Sequence, residues 1–75
     1  MKDNNEAVIK IKDAIETGAT ELDLSGLHIY SLPPEISELK RLERLDLRNT
    51  GVSDLGPISG LTRLERLYLG DNTVP

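Results

Sequence analysis

The sequence predicts an α/β chain: a short solenoid with a parallel three-stranded sheet and an N-terminal capping helix. Three observations predict it. The stretch RLERLDLRN, from Arg41 to Asn49, returns as RLERLYLGD from Arg63 to Asp71, 22 positions later. All thirteen leucines of the 75 residues lie from Leu22 onward, at fixed short intervals. The residues before Ala19 stand outside that pattern and follow a helical one instead.

The helix comes first in the chain. In NNEAVIKIKDAIETG, the residues Ala7, Val8, Ile11, Ala14 and Ile15 fall on one face at helical spacing. Asn4 or Asn5 supplies an N-cap, Glu6 suits the first turn, and Gly18 supplies the stop. Ile9 falls off the apolar face. The opposite face mixes Lys10 and Lys12 with Asp13 and Glu16, so it lacks the basic character of a lipid-binding helix. The expected role is to cap the open end of the leucine core that follows.

Three copies of one unit make up the rest. The first carries Ala19, Leu22, Leu24, Leu27, Ile29, Leu32, Ile36 and Leu39. The second carries Leu42, Leu45, Leu47, Thr50, Val52, Leu55, Ile58 and Leu61. The third carries Leu64, Leu67, Leu69, Asn72 and Val74. The units divide the chain into 1–18, 19–41, 42–63 and a partial 64–75. In LERLDL, leucines two apart point to the same face of a short strand. One such strand cannot bury that face alone, whereas parallel stacking of equal units builds a continuous core. Strands are expected over 21–24, 44–47 and 66–69. Pro33, Pro34 and Pro57 sit in the return segments, where a missing N–H breaks no ladder. Residues 34–39 are expected to make one helical turn, and 57–60 something tighter.

The template L-x-x-L-x-L-x-x-N-x-L-x-x-L, with spacings of 23 and then 22 residues, resembles the leucine-rich repeat family. The resemblance covers Ala19 to Pro75. The stretch ELDLSGLHIYSLPPEI is also similar to the opening repeat of bacterial leucine-rich repeat proteins, such as Roco-type regulators and secreted effectors. In the family, the asparagine slot bonds the turn after the strand. Here Asn72 fills it, Thr50 does so more weakly with its hydroxyl, and Leu27 does not. The resemblance implies a non-catalytic protein–protein interaction module whose ligands bind the concave strand face.

Composition points the same way. The net charge is -4 with both signs interspersed, which argues against nucleic acid as a partner. No apolar run is long enough to span a bilayer, and the charged N-terminus lacks the apolar stretch of a signal peptide. A cytoplasmic location is the expectation, with export by a signal-free route left open. There is no cysteine and one histidine, so no disulfide, thiolate nucleophile or metal cluster is expected. No phosphate-binding glycine motif occurs, and no Ser–His–Asp spacing supports a nucleophile. His28 reads as an exposed loop residue. No cofactor and no enzyme activity are expected.

The residues between the strand leucines form the candidate binding face. They fall in three columns: Glu21, Arg44 and Arg66; Asp23, Asp46 and Tyr68; Ser25, Arg48 and Gly70. Arg44, Arg48 and Arg66 make a positive patch on an acidic chain, and Tyr68 has the character of an interface anchor. Two readings of this face stand open. In one it is a ligand surface. In the other it is solvated and self-paired, with Glu21 facing Arg44 and Asp46 answering Arg48 or Arg66.

The third unit breaks off at GDNTVP without a return segment. The expectation is the N-terminal part of a longer repeat protein. A complete small protein that self-associates through its C-terminal edge, and a building block for fusion to a longer solenoid, are the alternatives. Under these two the chain is structural and has no ligand site of its own.

Overall fold

A computed structural model describes residues 2–69 of the chain. Gly70, Asp71, Asn72 and Val74, and with them the third unit's asparagine slot, lie outside the described residues.

Helix α1 runs Lys2–Thr17. It begins before Asn4 and Asn5, which therefore lie within the helix and are not its caps. The helical backbone continues upstream of them to Lys2. The stop is where the sequence puts it. Gly18 takes φ +65, its N–H donates to Ile15 O at 3.3 Å, and Ala19 N–H donates to Ala14 O at 2.9 Å. This paired closure satisfies two otherwise orphaned carbonyls. Ala7, Ile11 and Ala14 are buried and Val8 and Ile15 are half-buried, whereas Ile9 is 66% exposed.

Strands β1 (Glu21–Asp23), β2 (Arg44–Asp46) and β3 (Arg66–Tyr68) form one parallel sheet in the order β1-β2-β3. Leu22, Leu45 and Leu67 are register partners across it. Each strand is one residue shorter than the leucine spacing predicts. The ladder nevertheless extends past it, through Leu24 N–H to Asp46 O at 2.9 Å and Leu47 N–H to Tyr68 O at 2.8 Å. Each return segment holds a single 3-10 turn, η1 at Pro34–Glu38 and η2 at Gly56–Ile58. Prolines at their starts lose no hydrogen bond there. The chain is thus α/β, with an N-terminal helix and a parallel three-stranded sheet.

The core is aliphatic throughout. Leu24, Ile29, Ile36, Leu42, Leu45, Leu47 and Val52 are fully buried, and α1 closes one side with Ile11. Burial falls toward β3. Leu45 is 0% exposed, but Leu67, its register partner, is 36% exposed. The difference follows from position, since β2 has a strand on each side and β3 is the edge of the described sheet.

The turns after β1 and β2 are built alike. Gly26 takes φ +80 and Asn49 takes φ 59, at equivalent places in the first two units. Glycine reaches that region without steric cost, and asparagine is among the residues that tolerate it. Thr50, next in line, is buried. Its hydroxyl donates to Leu47 O at 2.9 Å and accepts from Val52 N–H at 3.3 Å. The threonine therefore does in the second unit what the sequence expects of the asparagine slot.

Candidate functional site

The outward face of the sheet carries the candidate residues, and their backbones stand in register. Glu21, Arg44 and Arg66 form one column, and Asp23, Asp46 and Tyr68 the next. Ser25 and Arg48 follow in the third, where Gly26 N–H reaches Arg48 O at 2.9 Å.

Two of the four acidic or aromatic positions in these columns are turn-holders. Asp23 Oδ1 accepts from Ser25 N–H at 2.9 Å and from Ser25 Oγ at 2.6 Å. Asp46 Oδ1 accepts from Arg48 N–H at 3.0 Å. In the first two units the strand's last residue bonds the backbone two residues on, which bends the chain out of the sheet. Bonding from Ser25 holds the Asp23 carboxyl below its ordinary pKa, and bonding from Arg48 does the same for Asp46. Both carboxylates are thereby committed to the fold; Asp23 is exposed on the face, whereas Asp46 is half-buried, its side chain 13% exposed.

Tyr68 collects the arginines. It faces Asp46 in register, so Arg44 and Arg48 lie diagonally to either side of it along β2 and the turn beyond. The guanidinium carbons stand 5.2 Å (Arg44) and 5.3 Å (Arg48) from its ring centroid, within cation–π range. Hydrogen bonding from Arg66 lowers the pKa of the Tyr68 hydroxyl, and the charges of Arg44, Arg66 and Arg48 add to the shift. Arg48 is fixed from the other side by Asp46, with Nη2 2.6 Å from Oδ2 and Nε 3.0 Å from Oδ1.

Glu21 and Arg44 are backbone partners, yet among the described residues the face's ion pair is Arg48–Asp46. The self-pairing foreseen for Glu21 with Arg44 is not formed, because Arg44 leans toward the Tyr68 ring on β3. One contributor is not legible in the sequence: Lys10 of α1 reaches Asp23 O at 3.4 Å. Its spacing of 13 positions carries no pattern, so only the docking of α1 beside β1 reveals it.

The surface is shallow. A hollow of about 440 Å³ is lined by Glu21, Leu22, Asp23, Arg44, Asp46 and Arg48. A smaller one of about 190 Å³ is lined by Glu21, Glu43, Arg44, Glu65 and Arg66. Arg44 stands on the rim of both. Among the described residues no cluster of three His, Asp or Glu side chains is arranged to hold a metal ion, and no helix is long and apolar enough to cross a membrane. His28 is exposed in the turn after β1.

Residues 40–75 match the family model for leucine-rich repeats in two copies. The match takes in β2, η2 and β3 and leaves α1 and β1 outside it. No curated protein matches the chain.

Proposed function

We propose that this chain of leucine-rich repeats is a protein-binding module whose partner lies on the outward face of the sheet, over Tyr68, Arg44, Arg48 and Arg66. Leucine-rich repeats in general mediate protein–protein interaction and are typically not catalytic. The observation that supports this face is the gathering of two guanidinium groups on one tyrosine ring. Tyr and Arg are the side chains enriched where interfaces concentrate their energy. Here the ring and the Asp46 carboxylate hold them in place before any partner arrives, which lowers the entropy cost of binding. Glu21, Asp23 and Asp46 border the cluster and set which charges are tolerated beside it.

The test is site-specific photo-cross-linking in extract of the source cells. A benzophenone side chain replaces Tyr68 in one variant and Glu38, exposed in η1 on the far side, in another. A discrete protein adduct from position 68 and none from position 38 is expected. Adducts from position 38 alone overturn the assignment of the face.

A second reading makes the chain a structural cap that pairs or extends a solenoid through β3. The 36% exposure of Leu67 on that strand favours it. Sedimentation equilibrium over a concentration series separates the two. A concentration-dependent dimer abolished by Leu67→Lys supports self-association, and a monomer at all concentrations leaves the outward face as the functional surface.

A further inference from the structure

We propose that Asp46 is a positioning residue of the binding face: it meets no partner itself and works by holding the Arg48 guanidinium against the Tyr68 ring. The inference rests on the reading of the outward face as a protein-binding surface, and it gives one residue of that face a different task from its neighbours.

The first two units supply an internal comparison. Asp23 and Asp46 are register partners on β1 and β2. Each accepts the backbone N–H two residues on, from Ser25 at 2.9 Å and from Arg48 at 3.0 Å. The turn thus needs the acceptor oxygen, whichever side chain follows. Of these two units, the second places an arginine there. Arg48 lays one edge of its guanidinium along the carboxylate, with Nε 3.0 Å from Oδ1 and Nη2 2.6 Å from Oδ2. Pairing at two points fixes the plane of the group as well as its place. Tyr68 stands beside Asp46 in register on β3. A guanidinium anchored on Asp46 is therefore delivered to that ring, 5.3 Å from its centroid.

Exposure divides the labour. The Asp46 side chain is 13% exposed and the Arg48 side chain 54%. A partner laid on the face has the guanidinium and the ring to touch, and little of the carboxylate. Without an anchor, a long exposed arginine samples many rotamers, and ordering it on binding weakens affinity. The carboxylate orders it in advance. Besides Arg48, the titratable and charged groups facing Asp46 come from all three strands: Asp23 on β1, Arg44 on β2 and Tyr68 on β3. Hydrogen bonding from Arg48, with the charge of Arg44 added, keeps the carboxyl below its ordinary pKa, so the anchor stays ionised at neutral pH.

The experiment is an NMR double-mutant cycle on the full chain, read at the Tyr68 ring protons and the Arg48 Nε–H. Asp46→Asn keeps a side-chain oxygen for the turn and removes the charge. The expected result is loss of the nuclear Overhauser contact between the Arg48 side chain and the Tyr68 ring, with a shift of the ring signals and an unchanged circular dichroism spectrum. In an Arg48→Gln background nothing is left to position, so Asp46→Asn adds only a small fraction of that shift. Asp23→Asn, the matching change on β1, leaves the Tyr68 signals in place. An equal Tyr68 shift in both backgrounds means that Asp46 acts through the turn, and it overturns the proposal. So does an Arg48–Tyr68 contact that survives Asp46→Asn. If Asp46→Asn does not fold, Asp46→Ser, which also retains a turn acceptor, replaces it, and unfolding of both overturns the positioning role in favour of a purely structural one. A failed cycle beside a discrete cross-link from position 68 defeats this inference alone and leaves the binding face standing. A cycle that behaves as expected beside an empty cross-link at position 68 defeats the binding face, and with it the role of Asp46 in binding, although Arg48 is still held.

Discussion

Asp46 holds Arg48 twice over. Its Oδ1 accepts the Arg48 backbone N–H at 3.0 Å, and its Oδ2 lies 2.6 Å from the guanidinium Nη2. One carboxylate thus turns the chain at the end of β2 and aims the guanidinium at the Tyr68 ring, 5.3 Å away. The turn that shapes the solenoid and the cluster that shapes the binding face depend on the same ionised group.

That coupling has a pH signature. Asp23 and Asp46 both have folded-state pKa values below their ordinary ones. As pH falls the unfolded chain therefore takes up these protons before the folded chain does. The stability they contribute is complete above the unfolded pKa, about 4, and is lost as pH drops through the folded values. Urea midpoints measured from pH 7 down to pH 2.5 should fall below about pH 4. Asp46→Asn should flatten part of that decline, and a profile superimposable on the parent's counts against the assignment.

The two register partners Leu45 and Leu67 should respond very differently to truncation. Leu45 is fully buried between two neighbouring strands. Leu45→Ala should cost about 2–5 kcal/mol. A scaffold of this size rarely has more than about 3–5 kcal/mol to lose, so the variant should be largely unfolded by circular dichroism at 25 °C. Leu67→Ala, at a position 36% exposed, should stay folded with a lowered midpoint. Equal losses at the two sites contradict the burial gradient.

Thr50 should not be replaceable by its isostere. Thr50→Val keeps the shape but removes the donor to Leu47 O and the acceptor for Val52 N–H. Leaving such buried groups unpaired costs about 1–3 kcal/mol. Chemical denaturation should show that loss, and Thr50→Ser should recover much of it.

Gly51 and Gly18 resist alanine for different reasons. A Cβ on Gly51 would sit 2.5 Å from a Tyr30 ring carbon and 2.9 Å from Ile29 O. The ring is 74% exposed and free to swing away, but the backbone carbonyl is held by the Gly51 N–H at 2.7 Å. Gly18 has room, with an Arg41 nitrogen at 3.6 Å, but takes φ +65. Gly18→Ala should cost about 1–2 kcal/mol in backbone strain. Gly51→Ala should cost about 1–3 kcal/mol in overpacking, with displacement of the Tyr30 ring signals in the NMR spectrum. A Gly51→Ala spectrum with Tyr30 unmoved contradicts the close approach.

The leucine spacing by itself determined the repeat, the strand positions to within a residue, the parallel order and the face on which Arg44, Arg66 and Tyr68 stand. A period-two pattern fixes which side of a strand each residue takes, and equal units bury their leucines only against one another. Gly18 likewise announced the end of α1, since few other residues adopt its conformation cheaply. The start of α1 was not legible from Asn4 and Asn5, because a cap competes with continued helix, and here the helix continues through Asp3 and Lys2. Of the pairings foreseen on the face, Asp46 with Arg48 is formed, but the sequence did not decide the others. Glu21 and Arg44 stand in register, yet Arg44 turns to Tyr68, and Lys10 arrives from the helix. Long exposed side chains have many rotamers of nearly equal energy. What chooses among them is the three-dimensional company that packing supplies, here one aromatic ring placed diagonally between two arginines.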